Sequence, residues 1–122
     1  MDITVEDIIL MHKILINESG GSHGIRDINL LESAVGRVYQ TFMNQEFYND
    51  FEKISVLACG LIKNHAFIDG NKRVGIGMML YLLKCNNYHI IYTQDELIKL
   101  GLDIANDVTT ITDLKLWIQD HR

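Results

Sequence analysis

The chain has 122 residues, about half of them apolar, and a formal net charge of −5. That is enough for one domain, residues 1–122, burying roughly two-thirds of its unfolded surface, and the composition excludes disorder. The acidic balance argues against broad nucleic-acid binding, which needs a basic face to displace counterions.

The N-terminus, Met1 to Asp7, is acidic and lacks the basic start of a signal peptide. Thr4 and Asp7 form a capping-box pattern, and Val5, Ile8, Ile9, His12, Leu15 and Ile16 follow at helical spacing, so a first helix is expected to end near Asn17. Ser19 to Gly24 is the most glycine-rich stretch and reads as a mobile loop. Asn29 with Glu32 is expected to cap a second helix burying Leu31, Ala34, Val35, Val38 and Phe42. Met43 to Asn49 reads as a polar linker, with Asp50 the expected N-cap of a third helix carrying Phe51, Ile54, Leu57, Ala58, Leu61 and Ile62.

A fourth helix is expected from about Asn71 to Cys85. Val74 to Leu83 contains no charge at all, which marks a central helix wrapped by others. That run is about half of the ~20 residues a membrane span needs, so no membrane association and a cytoplasmic location are expected. Gly75 and Gly77 each cost this helix roughly 1 kcal/mol relative to Ala, tolerable where something approaches the backbone closely. Tyr88 to Tyr92 is expected to be extended. Thr93 with Glu96 caps a fifth helix to about Ala105, and Thr112 or Asp113 starts a last one packing Leu114, Trp117 and Ile118. Cys59 and Cys85 both lie in apolar helical contexts and read as reduced core residues; no Cys/His spacing suits zinc. The fold class is all-α, with about six helices.

The densest chemistry lies at the bend His65-Ala66-Phe67-Ile68-Asp69-Gly70-Asn71-Lys72-Arg73. Singly, each residue has a plain reading. His65 fits a core histidine or a base neutral at cellular pH. Asp69 or Asn71 fits a helix N-cap, and Lys72 and Arg73 fit solvated charges. Together they match what phosphoryl or nucleotidyl transfer requires: a hard oxygen ligand for a metal, cations for phosphate, and a base for a hydroxyl. Gly70 and Asn71 would turn backbone N–H groups toward an anion at a helix N-terminus. The spacing alone supports a phosphate site with a nearby base.

The same nine residues resemble the motif of the Fic/Doc (Fido) superfamily, His-Pro-Phe-x-Asp/Glu-Gly-Asn-Gly/Lys-Arg, and are most similar to its death-on-curing, or Doc toxin, branch. Gly20 to Asp27 followed by Leu30-Leu31-Glu32-Ser33-Ala34 is also similar to that branch. The resemblance implies a compact helical Fido fold and an ATP- and magnesium-dependent transferase acting on a protein hydroxyl. It implies His65 as general base, Phe67 as the motif's core anchor, Asp69 as magnesium ligand, and Gly70, Asn71, Lys72 and Arg73 as phosphate binders. Gly21, Ser22, His23, Gly24 and Ile25 correspond to the family's flap, where a target backbone docks by strand addition. Lys72 and Ile76 stand where AMP-transferring members carry glycine and a second arginine, and both resemble Doc, which transfers the γ-phosphate. Ala66 replaces the family's proline, and Gly70 matches the AMP-transferring form. The kinase reading is favoured over AMP transfer, and a non-catalytic nucleotide- or partner-binding module is the contrasting class. The implied partners are a Phd-like antitoxin chain and a translation-factor target, elongation factor Tu by the family's example.

Overall fold

The computed structural model describes all 122 residues. Six helices follow one another: α1 Val5–Ser19, α2 Ile28–Val38, α3 Asp50–Asn64, α4 Asn71–Cys85, α5 Gln94–Ala105 and α6 Ile111–Asp120. A hairpin of two short strands, β1 Thr41–Phe42 and β2 Gln45–Glu46, separates α2 from α3. The all-α expectation holds.

Local capping explains most boundaries. Thr4 with Asp7, Asn49 with Glu52, Thr93 with Glu96 and Thr110 with Asp113 form reciprocal capping boxes for α1, α3, α5 and α6. Three expected caps move. Asp27 rather than Asn29 caps α2, by accepting the Asn29 N–H at 2.9 Å. Asn49 displaces Asp50 because its carbonyl reaches the Glu52 N–H at 2.8 Å while the Glu52 carboxylate answers. Thr110 starts α6 ahead of Thr112, since only at that position does Asp113 fall at the third helical residue. Helix α1 runs past Asn17 to Ser19 and stops at Gly20, whose N–H closes on the Ile16 carbonyl at 2.8 Å.

The linker Met43 to Asn49 contains part of the hairpin. Met43 (φ 52°) and Asn44 (φ 64°) both occupy the left-handed region, as a two-residue hairpin loop requires. Phe42 is 65% exposed there instead of sitting in the core. Lys53, only 2% exposed, ties the hairpin to α3 through Glu46 at 2.7 Å and Asp50 at 3.7 Å. The segment Tyr88 to Tyr92 forms no strand; its backbone instead bonds to the ends of α4 and α6, with Ile91 N–H to His121 O at 2.7 Å. Cys59 is buried as expected, but Cys85 is exposed, on the outer side of the last turn of α4.

Helix α3 is buried without a break from Lys53 to Ile62 and packs against α2, α4, α5 and α6. Helix α4 packs against α1, α3 and α5, so these two helices together form the centre. Leu57 and Ile62 have no exposed surface; each such side chain contributes about 1.5–3 kcal/mol by leaving water. Gly75 permits the contact between α3 and α4: a Cβ there would lie 2.5 Å from Ile62 Cγ1 and 3.1 Å from the Ala58 carbonyl. The close approach expected at Gly75 is thus made by a neighbouring helix. It sets the C-terminus of α3 beside the N-terminus of α4, with residues 65–70 as the bend between them. No helix is long and apolar enough to cross a membrane.

Candidate functional site

Helix α3 ends at His65, which adopts the left-handed conformation (φ 53°, ψ 46°) and is solvent-exposed. A non-glycine residue in that region is uncommon and turns the chain sharply. Arg26 holds the turn: its Nε donates to the His65 carbonyl at 2.7 Å and its guanidinium to the Asn64 carbonyl at 3.3 Å. Those carbonyls would otherwise be unpaired at the helix end. The imidazole is left free to face outward.

The bend itself is stapled by Asn71. Its side-chain carbonyl accepts the Phe67 N–H and its amide donates to the Phe67 carbonyl, both at 3.0 Å. Phe67 is 2% exposed. Asn71's side chain therefore faces back into the bend, leaving its backbone N–H as the group directed along α4's open end.

Asp69 is held by both carboxylate oxygens. Gly70 N–H donates to Oδ1 at 2.7 Å and Ser22 N–H to Oδ2 at 3.0 Å. These two bonds, helped by Arg73 and His12, keep the carboxyl below its ordinary pKa, so it is ionised at neutral pH. The Arg73 guanidinium stands 3.7 Å from Oδ2 and also grips Ser19 Oγ (2.7 Å) and the Gly20 carbonyl (2.6 Å). Lys72 is exposed and makes no ion pair; its stem lies against Gly101 of α5.

Neither Asp69 nor Asn71 caps α4. The N-cap is Gly70 (φ 77°), and no side chain bonds to the helix's free N–H groups. The other five helices all use a side chain there. The first turn of α4 carries no acid, and Lys72 and Arg73 occupy it instead. Cations at the positive end of a helix dipole are unfavourable unless an anion joins them. Free N–H groups in such a position can receive an anion.

A magnesium ion fits this setting. It is usually bound through one or two carboxylates, with water and phosphate oxygens completing the shell. Asp69 offers one ionised, half-exposed carboxylate, and no cluster of three metal-ligating side chains exists to build an all-protein cage. Asp69 would hold such an ion; α4's N–H groups, Lys72 and Arg73 would hold the phosphates it carries.

The glycine-rich loop, read as mobile, is tied to this bend. Ile25 and Phe67 form an antiparallel bridge, with Arg26 N–H to Ala66 O at 2.8 Å and Ile68 N–H to Gly24 O at 3.1 Å. In that register Gly24 and Arg26 direct their bonding groups at the bend, so Ile25's own N–H and carbonyl form the opposite, open edge. Gly21, Ser22, His23, Gly24 and Ile25 are all exposed. Two residues absent from the sequence-based set belong here: Arg26 and His12. The visible signal for His12 was a histidine in an otherwise apolar stripe, between Ile8 and Ile16.

The chain is similar to known proteins over most of its length. The chain is 26% identical over 112 residues to a protein kinase doc of Escherichia phage P1, covering 92% of this chain and 88% of that protein. It is 30% identical over 106 residues to a toxin Doc of Mycolicibacterium smegmatis, covering 86% and 78% respectively. The model of the Fic/DOC family matches residues 2–83, from the start of the chain through the bend and nearly all of α4. This chain belongs to the Fic/DOC family.

Proposed function

We propose that the protein is a Doc-like toxin that transfers the γ-phosphate of ATP to a Ser or Thr hydroxyl of a protein target. The observation that carries this reading is the N-terminus of α4, uncapped and flanked by Lys72 and Arg73 one turn from an ionised Asp69. Kinship with proteins named toxin Doc and protein kinase doc supports it.

In this reading the target's hydroxyl oxygen bonds to the γ-phosphorus as the bond from that phosphorus to the ADP oxygen breaks, and the hydroxyl proton passes to His65. Asp69 would hold a magnesium ion, which would supply positive charge to the phosphate oxygens. Lys72 contributes a point charge and Arg73 a fork, and α4's N–H groups offer fixed dipoles that need no reorganisation. The open edge at Ile25 receives an extended segment of the target beside the phosphate site. A translation factor, with elongation factor Tu as first candidate, is the target to test, and a Phd-like antitoxin is the partner that would restrain the activity.

Ile76, 8% exposed, stands where the sequence resemblance gives AMP-transferring members a second arginine, and this apolar side chain favours phosphate transfer over AMP transfer. Incubation with α- and γ-labelled ATP and candidate targets decides between them. Label from γ alone, lost in His65→Ala, is expected. Label from α means AMP transfer and overturns the kinase reading. Growth arrest that persists unchanged in His65→Ala and Lys72→Ala means a non-catalytic binding module.

A further inference from the structure

His12 lies on α1, far from the bend in sequence, yet it makes the most intimate contact with it. Its Nε2 is 2.7 Å from the Asp69 carbonyl, across 57 residues of chain. A carbonyl only accepts, so Nε2 carries the hydrogen. The ring stacks on Phe67 with centroids 3.9 Å apart and planes 8° from parallel. It is 4% exposed. One turn further along α1, Ile16 packs beside Gly70 and Gly21.

Asp69 is therefore held at three points. Its two carboxylate oxygens take the Gly70 and Ser22 N–H groups, and its backbone carbonyl takes His12. The first two contacts come from the bend and the loop, which are short and open to solvent. His12 fastens the backbone of the residue to the packed body of α1, while Arg73 of α4 reaches only its carboxylate, at 3.7 Å. The chemistry explains the residue type: a flat ring is needed to stack on Phe67, and a donor at its far end to reach the carbonyl. Phenylalanine supplies only the ring. Glutamine supplies only a donor, placed close to where Nε2 stands.

We propose that His12 is a positioning residue for the metal-binding carboxylate, fixing the Asp69 backbone so that the side chain meets a divalent cation on a bound nucleotide. The proposal rests on the reading of Asp69 as the metal ligand. Loss of a hydrogen bond that orients a ligand typically costs about 10–100-fold in metal affinity. His12 makes no bond to Lys72, Arg73 or the free N–H groups of α4, so nucleotide affinity without metal is expected to be retained.

The test measures Mn2+ binding by electron paramagnetic resonance, on the full chain with a non-hydrolysable ATP analogue, for wild type, His12→Phe, His12→Gln and Asp69→Ala. Melting temperature and metal-free analogue binding are recorded beside it. In His12→Phe, Mn2+ affinity is expected to fall at least about tenfold, with analogue binding retained. His12→Gln is expected to recover most of that loss. Wild-type Mn2+ affinity in a folded His12→Phe overturns the proposal while Asp69→Ala still loses binding. Losses in both His12 variants that merely follow the fall in melting temperature also overturn it. Unchanged binding in Asp69→Ala removes the metal role of Asp69 itself, and the proposal with it. Should His12→Phe fail to fold, the 15N imidazole spectrum of the wild-type protein still decides: a hydrogen on Nε2 is required, and the other tautomer overturns the proposal.

Discussion

Ser22 and Asp69, 47 residues apart, are joined by a 3.0 Å hydrogen bond from the Ser22 backbone to Oδ2. The glycine-rich loop and the carboxylate of the bend are consequently one mechanical unit. Whatever binds Asp69 also acts on the loop that presents the open edge at Ile25. Gly21 tests this directly. A Cβ at that position would lie 2.5 Å from Asp69 Oδ2 and 2.7 Å from the Arg73 guanidinium, on a backbone at φ 116°. On the proposed kinase reading, Gly21→Ala is expected to keep the helical fold by circular dichroism but lower phosphate transfer at least about tenfold, the equivalent of ~1.4 kcal/mol in the barrier. Wild-type turnover in this variant would show that the loop moves independently of the site.

Arg73 divides its fork between the loop and the site. It bonds to Ser19 Oγ and the Gly20 carbonyl and lies 3.7 Å from Asp69. Lysine keeps the charge but cannot form the two-pronged contact. In Arg73→Lys the amides from Gly20 to Gly24 are expected to exchange hydrogen faster and, on the proposed kinase reading, KM for ATP to rise by about tenfold, or ~1.4 kcal/mol. Unchanged exchange protection would mean that Arg73 is not what holds the loop.

Asn71 shapes the bend through two bonds to Phe67. Asn71→Ala leaves both backbone groups without partners, a loss on the order of 2 kcal/mol, and should lower the melting temperature by roughly 5–10 °C. Asn71→Asp retains an acceptor for the Phe67 N–H but sets a carboxylate oxygen against the Phe67 carbonyl. It is expected to be no more stable than Asn71→Ala despite its closer shape. An aspartate variant as stable as wild type would deny the stapling role.

The pair His121 and Glu96 makes stability depend on pH. His121 Nδ1 faces the Trp117 carbonyl at 2.7 Å and Nε2 faces the Glu96 carboxylate at 2.6 Å, so both ring nitrogens meet acceptors. Burial opposes the charged ring, but the bonds to Glu96 and Trp117 outweigh it and raise the pKa above the ordinary histidine value. The His121 bond, then the Thr93 N–H, lowers that of Glu96. The contribution is fully present between about pH 4.3 and 6.5, the ordinary values of free glutamate and histidine. It is lost upward through His121's raised folded pKa and downward through Glu96's lowered one. The difference in melting temperature between wild type and Glu96→Gln should be largest in that window and shrink on either side. A difference independent of pH would rule out an ionic pair.

Helix number, most helix boundaries and the make-up of the bend were legible in the chain because they depend on neighbours three or four residues away. Capping boxes such as Thr4 with Asp7 and Thr93 with Glu96 state their geometry in their spacing. Where several polar residues compete for one cap, as Asp27 with Asn29 or Asn49 with Asp50, spacing alone could not choose. The hairpin was hidden because its turn, Met43-Asn44, lacks the glycine that usually marks the left-handed conformation. Lys53 gave no sign of burial, since Glu46 reaches it only after the hairpin folds back.

Fold class, family resemblance and the set of chemical groups at the bend follow from the order of residues along the chain. How those groups are aimed follows from packing. His12 meets Asp69 across 57 residues, Arg26 meets His65 across 39, and Arg73 meets Ser19 across 54. Contacts at such separations leave no periodic trace, because they depend on which helix faces pack and not on local backbone preference. The same packing left α4 as the single helix without a side-chain cap, with Lys72 and Arg73 in its first turn. That feature exists only once α1 and α3 have set the bend in place.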